Sequence, residues 1–169
     1  MGVSNDLLAL SDDQLQTQFS LEFPKGIPGG GNSDLITLRA DTTFSIPELT
    51  TGTYSLFKKG VKIEKTNMVQ ETSKEISLEV RIDQQWEVVD AIYAWQKLCY
   101  NFETGTAGSE AVTRTDMYLI PEDTQNKAVK TIKFMGVKLK GFQIGDFDNQ
   151  GGDPVRITMN MIFLDMDIE

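Results

Sequence analysis

Glu75-Ile76-Ser77-Leu78-Glu79-Val80-Arg81-Ile82 is the stretch on which the fold turns. Ile76, Leu78, Val80 and Ile82 fall on one side of an extended chain, and Glu75, Ser77, Glu79 and Arg81 on the other. Successive side chains of a strand point to opposite faces, so this spacing predicts a strand with one buried face and one wet face. The same alternation sets Phe19, Leu21 and Phe23 against Gln18, Ser20 and Glu22, and a weaker version carries Ile36, Leu38 and Ala40. Tyr54–Phe57 and Val61–Ile63 flank Lys58-Lys59-Gly60 and predict a hairpin that turns near Gly60. Further strands are expected at Thr115–Ile120, Lys127–Met135, Val137–Ile144 and Val155–Asp167.

The last of these changes phase. Ile157, Met159 and Met161 occupy odd positions, whereas Ile162, Leu164, Met166 and Ile168 occupy even ones. Met161, Ile162, Phe163 and Leu164 therefore run together as four apolar residues. Either both faces are covered there or a bulge shifts the alternation. A covered second face in one small domain points to a neighbouring subunit, and Met161, Ile162, Phe163 and Leu164 are assigned to core packing or to packing between subunits.

One segment has a different period. Val88, Ile92, Trp95 and Cys99 recur at helical spacing, which predicts a helix over Asp83–Tyr100 with Asp83 as its N-cap and Glu87 in its first turn. Pro24–Asp34, with Gly29-Gly30-Gly31, reads as a mobile loop; Asn101–Thr113 and Asp146–Pro154 also read as loops. With no internal repeat and no linker, residues 1–169 form a single, mainly β domain. The residues alone leave open a sandwich or part of a barrel, with one flanking helix at about residues 84–100. A short N-terminal arm covers residues 1–15 and a hairpin-bearing insertion residues 49–72.

The chain has 169 residues, 40% of them hydrophobic, enough for a real core. Twenty-five acids against 16 bases give a net charge of −9, which repels nucleic acid at long range. There is no histidine, so the commonest general base and metal ligand are missing. A single cysteine, Cys99, rules out an intrachain disulfide and a cysteine-based zinc site. Leu7, Leu8 and Leu10 are flanked by Asp6, Asp12 and Asp13 without a basic segment before them, so no signal peptide or membrane span is expected.

The candidates for chemistry are thin. Asp146-Phe147-Asp148-Asn149-Gln150-Gly151 has alternating oxygens and a sixth-position glycine, like the start of a calcium loop. Its fifth position is Gln150 and its twelfth is Ile157, where a bidentate glutamate is needed, so it reads as a turn between strands. Asp165 and Asp167 share a face near Glu169 but no pocket is marked around them, and they read as a solvated acidic edge. Cys99 lies on the apolar stripe and reads as a small hydrophobe. The glycine run lacks the Lys-Ser/Thr of a phosphate loop. The expectation is no catalytic residue, no metal, no cofactor and no enzyme.

The charges are unevenly placed. Lys58, Lys59, Lys62, Lys65, Lys127, Lys130, Lys133, Lys138 and Lys140 supply nine of the 16 bases, while Asp146–Glu169 carries six acids and only Arg156. Solvated strand faces explain this simply. A sharper alternative is complementary charge between subunits, a basic hairpin against acidic termini, which salt would weaken.

The order of these features resembles the tail tube proteins of T-even-type contractile phages, from about Phe19 to the C-terminus. Phe19-Ser20-Leu21-Glu22 opens the series, followed by a strand reaching Ser45-Ile46-Pro47. The hairpin insertion comes next, then Glu75–Ile82 running straight into a helix that bears Trp95-Gln96. Ile132-Lys133-Phe134-Met135-Gly136, Asp146-Phe147-Asp148 and one long last strand complete it. The resemblance implies two packed antiparallel sheets with a helix on the side. It also implies rings of six, stacked into a hollow tube inside the virion tail, assembled in the host cytoplasm to deliver the genome. Implied partners are further copies of the chain, the sheath, the baseplate initiator, the tail terminator, and tape measure and DNA passing through the lumen unbound. The hairpin residues Tyr54, Leu56, Phe57, Lys58, Lys59, Val61 and Ile63 are expected to stack rings. The alternatives are the tube of a type VI secretion or extracellular injection system, and, from another class, a monomeric ligand-binding β-sandwich.

Overall fold

In the computed structural model, residues 19–41, 46–70 and 74–169 are described. The N-terminal arm, Gln18, Ser45 and the last residues of the hairpin insertion lie outside them.

Eleven strands and three helices alternate along the described chain. They are β1 (Phe19–Glu22), α1 (Ser33–Arg39), β2 (Ala40–Asp41), β3 (Thr51–Lys58), β4 (Val61–Gln70), β5 (Glu75–Arg81) and α2 (Glu87–Cys99). Then follow β6 (Tyr100–Asn101), β7 (Thr106–Ala107), α3 (Glu110–Thr113), β8 (Thr115–Pro121), β9 (Ile132–Ile144), β10 (Arg156–Ile162) and β11 (Asp165–Ile168). Seven strands form an antiparallel path, β1-β8-β9-β10-β5-β2, with β11 also on β9.

β9 divides this path into two halves. Its first residues, Ile132–Met135, lie between β8 and β11; its later ones, Lys138–Ile144, pair with β10. The expected two packed antiparallel sheets are thus present, joined through one long strand instead of two separate ones. Gly136 sits at the division with φ +66, and an added Cβ would come within 2.6 Å of the Leu164 side chain. A left-handed backbone and a close neighbour together call for glycine there.

The alternation in β5 is realised in full. Ile76, Leu78 and Val80 are buried and their neighbours exposed. They join Phe134, Leu139, Ile157, Met159, Met161 and, from α2, Val88, Ile92 and Trp95 in one hydrophobic cluster. Trp95 is fully buried, and its Nε1–H donates to the Thr113 carbonyl at 2.9 Å, which satisfies the polar edge of the ring. Asp83 caps α2 from outside it: its carboxylate accepts from the N–H groups of Glu87 and Val88, both at 3.2 Å. The helix itself begins later than the sequence suggests, because Trp86 takes a left-handed conformation, φ 60, just before it.

Four expectations are corrected. Ile36 and Leu38 lie in helix α1, and only Ala40–Asp41 pairs as a strand, because the Asn32 side chain caps Asp34 and starts a turn of helix. The expected single helix is accompanied by the short α1 and α3. The expected mobile loop 24–34 is packed: Phe23 and Ile27 are buried, and Gly31 lies so near α2 that an added Cβ would meet Ala91 Cβ at 2.6 Å. The expected long final strand is broken into β10 and β11, since Phe163 N–H turns to Lys74 while Leu164 N–H turns to Met135. β10 also carries a register shift between Asn160 and Met161 opposite β9.

Candidate functional site

β3 and β4 form a two-stranded sheet of their own. Lys58 pairs with Val61, and the two residues between them, Lys59 (φ 51) and Gly60 (φ 76), are both left-handed. Two positive φ values make the tight turn whose twist matches the strands. Glycine is at ease there; lysine is not, and a side chain held in this region carries strain of about 1–2 kcal/mol.

Register reveals what the hairpin presents. Tyr54 faces Lys65, Leu56 faces Ile63 and Lys58 faces Val61, so these six side chains share one face. Tyr54, Leu56, Val61 and Ile63 are all exposed, between 45% and 59%. They form an apolar strip with lysine at both ends. Phe57 lies on the other face, across from Lys62, and is 75% exposed. All seven hairpin residues singled out from the sequence therefore sit on one arm, and none is covered by the described part of its own chain.

The four residues of the phase shift divide. Met161 and Phe163 are core residues, with Phe163 edge-on to Phe134 at 5.3 Å. Ile162 is half-buried and Leu164 is 55% exposed. The unbroken apolar run arises from the strand break, which turns Leu164 outward over Gly136.

The charged segments also separate. Lys133 binds Glu169, Lys138 binds Glu110 and Lys140 binds Glu75, so much of the basic β9 is neutralised within the chain. The Lys138 and then the Arg114 hydrogen bonds hold the Glu110 carboxyl below its ordinary pKa, while Glu169 raises that of Lys133. Lys58, Lys59 and Lys65 make no ion pair among the described residues, and neither do Asp146, Asp148 and Asp153. Burial pushes the Cys99 thiol up, as a packed hydrophobe requires. Partial desolvation raises the Asp83 carboxyl, but the N–H groups of Val88 and Glu87 outweigh it and hold it below its usual range.

The sequence reading missed an aromatic ridge. Trp86, Tyr93 and Tyr100 recur every seven residues; Tyr93 is exposed on α2, and Trp86 and Tyr100 flank its two ends. Trp86 stacks on Phe147 at 6.3 Å and 4°, Tyr93 packs edge-on to Phe142, and Tyr100 to Phe102. The seven-residue spacing was legible; Phe142 and Phe147, which join it, come from a distant strand and loop. Among the described residues no group of three histidine, cysteine, aspartate or glutamate side chains converges as a metal site.

Comparison of the whole fold with solved structures gives consistent matches at low identity. A chain in the anti-feeding prophage tube-terminating cap superimposes with a TM-score of 0.67 and 10% identity, covering 100% of this chain and 99% of that one. A chain in the anti-feeding prophage baseplate gives 0.65 and 12% over 95% and 97%. A chain in the PVC sheath–tube complex, an extracellular contractile injection system, gives 0.62 and 11% over 100% and 98%. The fold is that of contractile injection system components. No protein-family description matches the sequence, and no curated protein matches it. Among the described residues, the hairpin, the open strand margins and the aromatic ridge are the larger surfaces that the chain leaves exposed. β2 covers only Val80 and Glu79, so the rest of the outer edge of β5 is unpaired among the described residues. No described helix is long and apolar enough to cross a membrane.

Proposed function

We propose that this chain is a tube subunit of a contractile tail, self-assembling into rings that stack into a hollow conduit, with no enzymatic role. The observation that carries this reading is the amphipathic hairpin with its apolar face uncovered. A two-stranded hairpin is at best marginally stable in water, and Tyr54, Leu56, Val61 and Ile63 gain most of their stabilisation only when something covers them. Another copy of the chain is the simplest cover, and a contact between unlike surfaces repeats without end, as stacking requires. The open margins of the sheet suit ring closure, which removes unpaired edges. The outward face of β5 and β10, with Glu75, Ser77, Glu79, Thr158 and Asn160, is polar enough to border a water-filled lumen. A net charge of −9 per copy suits a channel that passes DNA without holding it.

A ring of six, a surrounding sheath, and terminator and initiator proteins at the tube ends complete the proposal. The likeness to anti-feeding prophage and PVC chains favours a second reading, the tube of an extracellular contractile injection system. Neighbouring genes separate the two, capsid and terminase against secretion components. Electron microscopy of the purified protein is the direct test of tube formation: rings or hollow tubes are expected, and a monomer at high concentration would end the proposal. Deleting Lys58–Lys62 should leave a folded domain or single rings without long tubes.

A further inference from the structure

Stacking needs a surface to receive the hairpin, and the chain displays one that matches it. The turn before α2 and the loop between β9 and β10 meet where Trp86 stacks on Phe147. Both rings are exposed, 40% and 70%. Asp146, Asp148 and Asp153 lie in the same loop as Phe147, with no lysine or arginine between Gly145 and Val155. Arg81 and Arg156 stand opposite one another at the adjoining ends of β5 and β10. Asp148 Oδ1 accepts from the Gln150 N–H at 2.9 Å, but none of the three acids has an ion pair among the described residues. An exposed aromatic pair edged by such carboxylates is the complement of an exposed apolar strip edged by lysines that likewise have no ion pair among the described residues.

The chain order places the base of the hairpin and the aromatic loop at opposite ends of one strand. β4 leads, four residues on, into the N-terminal end of β5. The aromatic loop lies at the other end, where Ile82 N–H bonds the Val155 carbonyl. The seven residues of β5 put roughly 20 Å between its two ends. The acidic C-terminal residues are a poorer match, because Glu169 is already bound by Lys133. Three non-glycine residues have positive φ among those described, Lys59, Trp86 and Asn126. Asparagine is ordinary there; of the other two, one lies on each of these surfaces.

We infer that the surface formed by Trp86, Phe147, Asp146 and Asp148 on one copy seats the hairpin tip, Phe57, Lys58, Lys59 and Val61, of the next copy along the tube. The inference rests on the proposed tube and adds the receiving surface and its head-to-tail sense. Lysine against carboxylate sets the register, and the aromatic pair covers the apolar tip. Keeping lysine at a turn position that favours asparagine or glycine is then explained by the charge it delivers.

Charge exchange tests it. K58E/K59E and D146K/D148K should each raise the concentration needed for tube formation roughly a hundredfold, and the four changes combined should restore much of the loss, because like charges in a contact cost several kcal/mol. A mixture of K59C and D148C chains, oxidised after assembly, should give a disulfide-linked dimer absent from either variant alone; Cys99 is buried and does not compete. If the parent protein forms no tubes, this inference and the proposed function fall together. If the parent forms tubes, the hairpin deletion abolishes them, and D146K/D148K assembles normally or the cysteine pair fails to cross-link in tubes, the receiving surface is wrong while the tube reading stands. Circular dichroism of each variant separates a lost contact from a lost fold.

Discussion

β5 and the β3–β4 hairpin use the same device and reach opposite outcomes. Both alternate apolar and polar residues, and both present an amphipathic face. In β5 the apolar side chains Ile76, Leu78 and Val80 are at most 3% exposed, covered by β10 neighbours, α2 and the rest of the core. In the hairpin Tyr54, Leu56, Val61 and Ile63 are at least 45% exposed. Alternation specifies which side chains seek cover; it does not say whether the cover lies in the same chain. Where the fold supplies none, the pattern becomes a statement about assembly.

That contrast can be broken by matched substitutions. Leu78→Ala should cost about 2–5 kcal/mol in denaturant unfolding, since it removes a buried side chain and leaves a cavity. A cost below ~1 kcal/mol would mean that the β5 face is not the core it looks to be. Asp83→Ala should cost about 1 kcal/mol at neutral pH through loss of its bonds to the start of α2. Because the folded carboxyl titrates below its ordinary value, its contribution is present above the unfolded pKa and lost as pH falls through the folded one. The parent and Asp83→Ala stability curves should therefore converge below about pH 4. Leu56→Ala should change the stability of the unassembled chain by less than about 0.5 kcal/mol, being an exposed site, yet weaken assembly measured by sedimentation. A large loss of monomer stability there would place the hairpin within the fold and remove its proposed role. The smallest effect is local: Lys59→Asn should slow amide exchange in the hairpin a few-fold by relieving the left-handed lysine, without raising the unfolding midpoint of the domain.

Much of the fold was legible because one period dominates each segment. Glu75–Ile82 and Val88–Cys99 read correctly since burial on one face leaves a regular trace. Ile36 and Leu38 misled because two or three alternating residues fit a strand and a short helix equally well; the Asn32 cap decided between them. The hairpin arm of the candidate site was legible, turn included. The seat around Trp86 was not, because Phe147 and Trp86 are 61 residues apart in sequence (147 − 86) and meet only through folding.

The sequence by itself determined a mainly β domain with an amphipathic helix, a hairpin turning at Gly60, and a chain without histidine or a second cysteine. Those follow from local periodicity, turn preference and composition, which need no knowledge of what lies across space. Only the tertiary structure decided that β9 serves both sheets, that Phe163–Leu164 breaks the last strand, that the β9 lysines are neutralised, and that Lys58 and Lys59 at the hairpin tip have no ion pair among the described residues. Each depends on which distant groups become neighbours. An ion pair, a covered face or an open edge is a property of pairs of residues, and the pairing is fixed by the packing of the whole chain.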